Sequence, residues 1–260
     1  MAPESLVLSS SMSHITTITI NRPAHRNCLT KETISQLTAA FEMAGRDPSA
    51  RCIMLRGAGN EAFCAGADLR ELIDDPSPDS RRAMFESIAR LIETIHRTPL
   101  PVVALVHGFA LAGGCGLAAA CDITVAADDA VFGLPEVGIG LAPMVVMGPL
   151  SRTITRKALS HLVLTGERIS AAQALDAGLV TAVAPKNTAD AEALRACQGL
   201  CKQSPQALQA AKAALIDVGE RDYFPFLREL ADRSALVSLG SDAEEGMRAF
   251  TEKRAPSWRA

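Results

Sequence analysis

A glycine pair and one downstream carboxylate are the residues of this sequence whose types and spacing best suit chemistry. Gly113 and Gly114 stand just before the apolar segment 117–120, which is the pattern of a helix that begins beneath a tight loop. Glycine lets the backbone approach a ligand closely, and the first N–H groups of a helix lack intrahelical partners. A negative oxygen placed there also meets the positive end of the helix dipole. With Glu136 downstream, the pattern predicts an anion site beside one acid or base; the alternative is that small residues here only permit close strand–helix packing.

The elements around these residues have the pattern of an α/β domain. A Val-rich run at 102–106 predicts a buried strand before the glycine pair. The alternation of Ile and Thr at 15–20 and the apolar run at 52–55 predict further strands. Strands and helices alternate up to about residue 185, which favours an α/β domain with interior strands.

Capping residues predict several helix boundaries. Thr30 is a candidate N-cap for a helix that runs to residue 44, and Asp68 is a candidate cap with Glu71 at capping-box spacing. The segment 74–80, rich in Pro, Asp and Ser, predicts a flexible loop that can act as a lid over a binding site. An amphipathic helix is expected over 81–97.

From about residue 204 the pattern is helical only. Ser204 and Pro205 have the residue types of an N-cap followed by the first helical position. The Ala, Leu and Phe residues that follow recur at three and four positions, so these helices need a partner surface. That surface is either the chain's own core or a second subunit.

Composition points to small molecules rather than to nucleic acids or membranes. The 260 residues carry 26 basic and 29 acidic side chains, a net charge of −3, with one Trp and one Tyr for base stacking. The seven cysteines lack paired metal-ligand spacing, and Cys197 and Cys201 have no nearby His, so no metal is expected. Neither a secretory leader nor a membrane span is predicted, and reduced thiols favour a cytoplasmic location.

Several motifs occur in the order found in one enzyme family. The three main motifs lie at 63–69, 107–115 and 134–136. The supporting matches lie at 21–23, 26–27, 121–122, 164–166, 178–180, Phe250 and 253–254. On these residues the chain resembles the crotonase superfamily of enoyl-CoA hydratases and isomerases. The matches extend over nearly the full length.

The resemblance implies an α/β fold built as a spiral of ββα turns, followed by a C-terminal helical trimerisation region. It divides the chain into an acyl-CoA-binding catalytic core at 1–203 and a helical oligomerisation region at 204–260. Such proteins assemble as trimers or dimers of trimers. The substrate is an acyl-CoA thioester, so CoA is part of the substrate and no separate cofactor is expected.

The resemblance also assigns the site. The backbone N–H groups of Ala67 and Gly113 correspond to an oxyanion hole for the thioester oxygen, and Glu136 corresponds to the acid/base. Positions that correspond to substrate or CoA contacts are Arg26, Cys28, Ala65, Asp68, Leu69, Phe250 and Lys253. The contacts of the last two often come from a neighbouring subunit. Asp68 also has a structural interpretation, as a helix cap.

Two departures from the family pattern leave the reaction open. Hydratases of the best-known type have a second glutamate where this chain has Gly116, and a glycine where it has Met144. Glu136 alone suits the shift of a double bond from Cβ–Cγ to Cα–Cβ, which moves one proton. Other superfamily hydratases nevertheless combine a glycine at this helix with an acid on the loop. Hydratase, enoyl-CoA isomerase and a non-catalytic acyl-CoA-binding protein therefore all remain candidates.

Overall fold

The computed structural model describes residues 5–217 and 223–256. The strands in these residues are β1 (Val7–Met12), β2 (Ile15–Ile20), β3 (Cys52–Gly57), β4 (Ala62–Cys64), β5 (Val102–Val106), β6 (Phe109–Leu111), β7 (Ile123–Ala127), β8 (Val131–Gly133), β9 (Arg168–Ser170) and β10 (Ala182–Ala184). The α-helices in them are α1 (Lys31–Arg46), α2 (Leu69–Asp74), α3 (Pro78–Arg97), α4 (Gly113–Ala120), α5 (Met144–Thr153), α6 (Arg156–Thr165), α7 (Ala171–Asp176), α8 (Ala189–Cys201), α9 (Pro205–Asp217), α10 (Tyr223–Ser238) and α11 (Ser241–Thr251). Two 3-10 helices cover Pro23–His25 and Pro135–Ile139.

The strands form two sheets that the chain visits in turn. A six-stranded sheet has the order β1-β2-β3-β5-β7-β10, and a four-stranded sheet has the order β4-β6-β8-β9. Three successive turns of the chain, β3–β4, β5–β6 and β7–β8, each place one strand in the larger sheet and the next in the smaller. The pairings are parallel except for β1 with β2 and β8 with β9. The chain therefore winds as a spiral, and the predicted α/β class is confirmed.

Strand β5 shows how the core is divided between the two faces of the larger sheet. Side chains alternate across a strand. Val102, Ala104 and Val106 accordingly belong to the main core cluster, whereas Val103 and Leu105 pack toward α8. All five residues are buried, which matches the continuous apolar run expected of an interior parallel strand.

Local capping confirms some predicted boundaries and corrects others. The Thr30 side chain accepts from the Thr33 N–H, and α1 begins as predicted. Helix α3 begins at Pro78, not at residue 81, because Ser77 caps it and Pro suits the first helical position. Only residues 75–77 separate α2 from α3, so the long flexible loop predicted over 74–80 is wrong.

The C-terminal helices pack on the chain's own core. Helix α10 lies against α3 and α5, and α11 lies against α2 and the 3-10 helix Pro135–Ile139. This supplies one partner surface for the apolar faces noted in the sequence. The boundary at 203/204 stays a prediction, and residues 218–222 and 257–260 of the predicted C-terminal region lie outside the described residues. No helix of the described part of the chain is both long and apolar enough to cross a membrane.

A buried lysine ties α9 to the core. Lys212 is 6% exposed, and its Nζ donates to the carbonyls of Ile95 and Leu100 at 3.2 and 2.9 Å and to Asp122 Oδ2 at 2.7 Å. The same carboxylate oxygen accepts from the Val102 N–H at 2.7 Å. Asp122 thus has a structural role, because it neutralises a buried ammonium and accepts a hydrogen bond from the first N–H of β5.

We expect Asp122→Ala to lower the free energy of unfolding by about 3 kcal/mol, because it leaves the Lys212 ammonium buried without its counter-charge. Urea titration followed by circular dichroism measures this. Asp129→Ala is the matched control: its ion pair with Lys186 is exposed, so its loss should stay below about 1 kcal/mol. Equal losses in the two variants would contradict the assignment.

Candidate active site

The smaller sheet brings three chain segments of the predicted site together. Strands β4, β6 and β8 are parallel neighbours, so their carboxyl ends meet at one edge of the sheet. Ala67 follows β4, Gly113 follows β6 and Glu136 follows β8. Segments distant in sequence are thereby placed side by side.

The turn after β6 is held in a backbone conformation that residues with a side chain rarely adopt. Ala112, the N-cap of α4, has φ 51° and ψ −120°. Its N–H donates to the Gly133 carbonyl at 2.9 Å, and its own carbonyl accepts from the Gly116 N–H at 3.1 Å, so both sides of the turn are fixed. Such strain costs about 1–3 kcal/mol and persists where the surroundings determine the backbone.

The turn after β4 packs directly against this strained turn. Gly66 has φ 97°, and a β-carbon built on it would lie 2.7 Å from the Ala112 β-carbon. A β-carbon built on Gly113 would lie 3.8 Å from the Ala67 nitrogen. The backbone nitrogens assigned to the oxyanion hole by resemblance are therefore neighbours.

Both of these N–H groups are available to a ligand. In residues 5–217 and 223–256, neither the Ala67 N–H nor the Gly113 N–H donates to an acceptor. Gly113 is the first residue of α4, so its N–H has no intrahelical partner and stands at the positive end of the helix dipole. Two free donors beside each other can hold one anionic oxygen.

The two glycines of the pair have different roles. A β-carbon on Gly114 would lie 2.0 Å from the Cys64 carbonyl oxygen, so this glycine is required for α4 to approach β4. The same construction on Gly113 finds ordinary van der Waals space. The alternative that small residues only permit close strand–helix packing thus applies to Gly114. The interpretation as an anion site fits Gly113.

Glu136 lies in the 3-10 helix Pro135–Ile139, with its carboxyl group in an apolar setting. Its Oε2 is inaccessible to solvent and has no hydrogen-bond partner among the described residues. Burial raises the pKa of this carboxyl to about 8, and a bond from its own backbone N–H opposes the shift. A carboxyl group with such a pKa can be protonated or ionised near neutral pH, as a group that accepts and returns a proton must be.

The space of a second acid is filled by an aliphatic side chain. A β-carbon on Gly116 would lie 2.5 Å from Val146 Cγ1, because α5 packs closely on α4. A glutamate at position 116 would therefore require α5 to move. Sequence reasoning noted Gly116 but missed Val146, which no motif singles out.

Cys115 is excluded as a nucleophile by its surroundings. A thiol at a helix start can have a lowered pKa, but no His base follows from the motif around Cys115. Burial instead raises the pKa of Cys115 to about 12, and the nearby Glu136 carboxyl adds to the shift. The thiol is therefore protonated and inert.

Arg26, Cys28 and Ala65, assigned to CoA by resemblance, lie close together beside the hole. The Ala65 N–H donates to the Arg26 carbonyl at 3.0 Å, and the Leu29 N–H donates to the Gly66 carbonyl at 2.8 Å. Arg26 is exposed and its Nε pairs with Glu61 Oε1 at 2.5 Å, so it presents a cation at the surface. Burial raises the pKa of the Cys28 thiol, and the Cys28 backbone N–H donates to the His25 carbonyl at 3.0 Å.

Asp68 and Leu69 start α2 directly after the hole. Asp68 Oδ1 accepts from the Arg70 N–H at 3.2 Å and therefore caps the helix. The capping box predicted with Glu71 is wrong, because Glu71 Oε2 instead accepts from the Lys31 N–H at 3.0 Å. Leu69 is the first residue of the helix and half-buried.

Arg22, which the sequence analysis includes only within the supporting motif 21–23, is a positioning residue. Its Nη1 donates to the Cys28 carbonyl at 2.5 Å and its Nη2 to Asp68 Oδ2 at 3.1 Å. Because one guanidinium bridges both segments, it fixes the distance between the proposed CoA cleft and the hole. The motif 21–23 alone does not reveal this bridge, because one of its two partners, Asp68, lies 46 positions away in the sequence.

Phe250 and Lys253 are not joined to the other predicted residues in the described part of this chain. Phe250 is 61% exposed at the end of α11, and Lys253 follows with φ 55°. No hydrogen bond or ion pair of the described residues connects either one to Arg26, Cys28 or Ala65. Their assignment to CoA stays a prediction.

Helix α11 instead holds the segment that carries Glu136. A β-carbon on Gly140 would lie 2.2 Å from the Asp242 carbonyl carbon, and one on Gly246 would lie 1.9 Å from the Ile139 carbonyl oxygen. Two glycines, one on each side, thus allow backbone-to-backbone packing. No local pattern predicts this contact, since the two positions lie more than one hundred residues apart.

Comparison with known proteins identifies the family. A family model described as enoyl-CoA hydratase/isomerase matches residues 10–260. The enoyl-CoA hydratase EchA19 of Mycobacterium tuberculosis is 34% identical over 262 residues, covering 98% of this chain and 96% of that protein. The 2,3-dehydroadipyl-CoA hydratase of Escherichia coli K12 is 34% identical over 254 residues, covering 97% and 98%.

A solved structure supports the same assignment. The crystal structure of an enoyl-CoA hydratase from Mycobacterium avium superimposes with a TM-score of 0.85 at 34% identity, covering 98% of this chain and 99% of that one. The fold class and the superfamily membership expected from the motifs are both confirmed. The chain belongs to the enoyl-CoA hydratase/isomerase family of the crotonase superfamily.

Proposed function

We propose that the protein is an enoyl-CoA hydratase that adds water across the Cα–Cβ double bond of a 2-enoyl-CoA thioester. The observation that carries the proposal is that two free backbone N–H groups and the buried carboxyl group of Glu136 all follow neighbouring strands at one edge of the smaller sheet. The names of the relatives favour hydration over other reactions of the family.

The hole formed by Ala67 and Gly113 stabilises the charge that develops on the thioester oxygen. When a nucleophile adds at Cβ, the electron pair of the double bond moves toward the carbonyl and an enolate forms. Fixed donors placed at that oxygen favour the enolate over the substrate, and each is typically worth about 10²- to 10³-fold in rate. The strained turn at Ala112 keeps the Gly113 N–H in place before substrate arrives.

Glu136 carries out both proton transfers of the addition. The ionised carboxylate takes one proton from water as the water oxygen bonds to Cβ, and the resulting acid gives that proton to Cα as the enolate collapses. Atoms and charge balance without a second acid. CoA enters as part of the substrate, beside Arg26, Cys28 and Ala65, and the chemistry requires no further cofactor.

Isomerisation of a 3-enoyl-CoA is the second candidate, and the Val146 side chain is the observation that favours it. Because Val146 occupies the space beside Gly116, the site offers one acid for a reaction that needs only one. Glu136 would then remove a proton from Cα and return it to Cγ.

A trimer or dimer of trimers, with Phe250 and Lys253 completing the CoA site of a neighbour, belongs to the same proposal.

Assays with two substrates test the proposal. We expect incubation with a 2-enoyl-CoA to give a product heavier by one water, with loss of the conjugated-thioester absorbance. An isobaric product from a 3-enoyl-CoA, with a gain of that absorbance, would instead assign the isomerase. Binding of acyl-CoA without turnover of either would reject catalysis and leave an acyl-CoA-binding protein.

We expect Glu136→Gln to lower kcat by at least about 100-fold while acyl-CoA binding is retained, because general acid–base action is worth about 10²- to 10⁴-fold. Steady-state kinetics and calorimetric titration with a saturated acyl-CoA measure the two effects. Glu167→Gln is the matched control, since this glutamate is exposed and pairs with His161. Activity of Glu136→Gln within a few-fold of wild type would remove Glu136 from the mechanism.

The pH dependence of kcat/KM provides a separate prediction. Only the ionised carboxylate can take a proton, so kcat/KM should rise with pH and level off above a midpoint near 8, the pKa of Glu136 in the free protein. A midpoint near 4.5, the ordinary carboxyl value, would show that the carboxyl group is not desolvated.

The pH dependence of the free energy of unfolding reports the titration of Glu136 without any assay of catalysis. The folded pKa lies above the unfolded value, so the folded state holds more protons between about pH 4.5 and 8. The free energy of unfolding should therefore fall as pH rises through this window. Glu136→Gln should lack this contribution, which denaturant titrations at several pH values can measure.

A further inference from the structure

Arg81 is a buried cation that the proposed chemistry does not use. It lies in the first turn of α3, and the residue is 1% exposed. Its Nε and Nη1 atoms are inaccessible to solvent and have no hydrogen-bond partner among the described residues. Burial lowers the pKa of the guanidinium, with Glu244 as the opposing influence.

The nearest carboxylate does not satisfy this group. Glu244 Oε1 lies 3.9 Å from Arg81 Nη2, which is too long for a hydrogen bond, and the Glu244 side chain is 52% exposed. A buried charge without good hydrogen bonds is costly, and arginine is normally paired when buried. Arg81 therefore lacks an anion that would fill its donors.

The other buried cation of the described chain shows the contrast. Lys212 is buried to a similar degree, and its ammonium makes three hydrogen bonds, one of them to Asp122. That arrangement is complete and needs no ligand. Arg81 has the same burial without the partners, so its arrangement resembles a site rather than a structural pair.

Arg81 is linked through α11 to the segment that carries Glu136. Glu244 lies in α11, which packs on α2 and on the 3-10 helix that carries Glu136. The neighbouring Asp242 and Ala243 touch the backbone at Gly140, four residues after Glu136. Helix α2 begins at Leu69, two residues after Ala67 of the proposed hole, and only residues 75–77 separate it from α3, which carries Arg81.

We infer that Arg81 binds a carboxylate at the far end of the acyl chain, so that the preferred substrates are CoA monothioesters of unsaturated dicarboxylic acids. This inference rests on the proposed function, because it requires an acyl chain that extends from the hole. Guanidinium is the side chain best suited to a carboxylate, since its donors match both oxygens. The ligand would supply the counter-charge and the hydrogen bonds that the free protein lacks.

Binding of saturated acyl-CoA pairs tests the inference without turnover. Matched thioesters of increasing chain length, one ending in a methyl group and one in a carboxylate, are titrated calorimetrically into wild type, Arg81→Met and Arg82→Met. Arg82 is the adjacent control, because it is exposed and pairs with Asp232. We expect wild type and Arg82→Met to bind the carboxylate-ended member of one pair about 10- to 100-fold more tightly, and Arg81→Met to lose this preference.

Thermal unfolding of the ligand-free variants separates a binding role from a structural one. Arg81→Met should unfold at the same or a higher temperature than wild type, because it replaces an incompletely paired buried charge with an apolar side chain. A lowered melting temperature in both Arg81→Met and Glu244→Gln would assign a structural ion pair and overturn the inference.

Each remaining result of the binding experiment either supports or overturns the inference about Arg81. Equal affinity of wild type for both members of every pair, or an equal loss for both in Arg81→Met, would overturn the inference. Carboxylate preference at Arg81 together with no turnover of any 2- or 3-enoyl-CoA would support it while rejecting the proposed catalysis. Failure to bind any acyl-CoA would reject both.

Discussion

The parallel pairing of β4, β6 and β8 is the constraint on which the site depends. Parallel strands present their carboxyl ends at one edge, and the register of Phe109 with Val131 and of Leu111 with Gly133 sets how far each following turn projects. The Ala112 N–H then bonds the Gly133 carbonyl, which joins the turn that bears Gly113 to the strand that leads to Glu136. A shift of this register would separate the donors from the carboxyl group.

Features that are energetically unfavourable by themselves surround this edge of the smaller sheet. Ala112 has a positive φ, Gly66 packs on it at a distance that excludes a side chain, and Glu136 has a carboxyl oxygen without a partner. Neighbouring segments hold these features in place: Gly133 and Gly116 bond the Ala112 backbone, and α11 packs on the segment after Glu136. Such clustering of strain and desolvation is common where a protein must favour a charge that appears only during reaction.

Much of this arrangement could be predicted from sequence, for reasons that differ between residues. Thr30 and Asp68 act through neighbours in the chain, so their caps were readable from local spacing. The ordered motifs around Ala67, Gly113 and Glu136 were enough to indicate the family. Val146, Arg22 and the Gly246 contact act through space across long separations, and Glu71 bonds α1 rather than its own helix; no periodicity encodes such partners.

Comparison of the buried charges distinguishes stability from function in this fold. The Lys212–Asp122 pair is fully bonded and fixes α9 on the core, so it serves the folded state. Glu136 and Arg81 are buried with donors or acceptors left open, and neither arrangement favours the folded state by itself. Helix α11 packs on the 3-10 helix that carries Glu136, and Glu244 of α11 lies 3.9 Å from Arg81, so this helix supports both groups. Two such incomplete groups, both next to α11, fit a protein organised around a ligand that exchanges a proton with one group and satisfies the donors of the other.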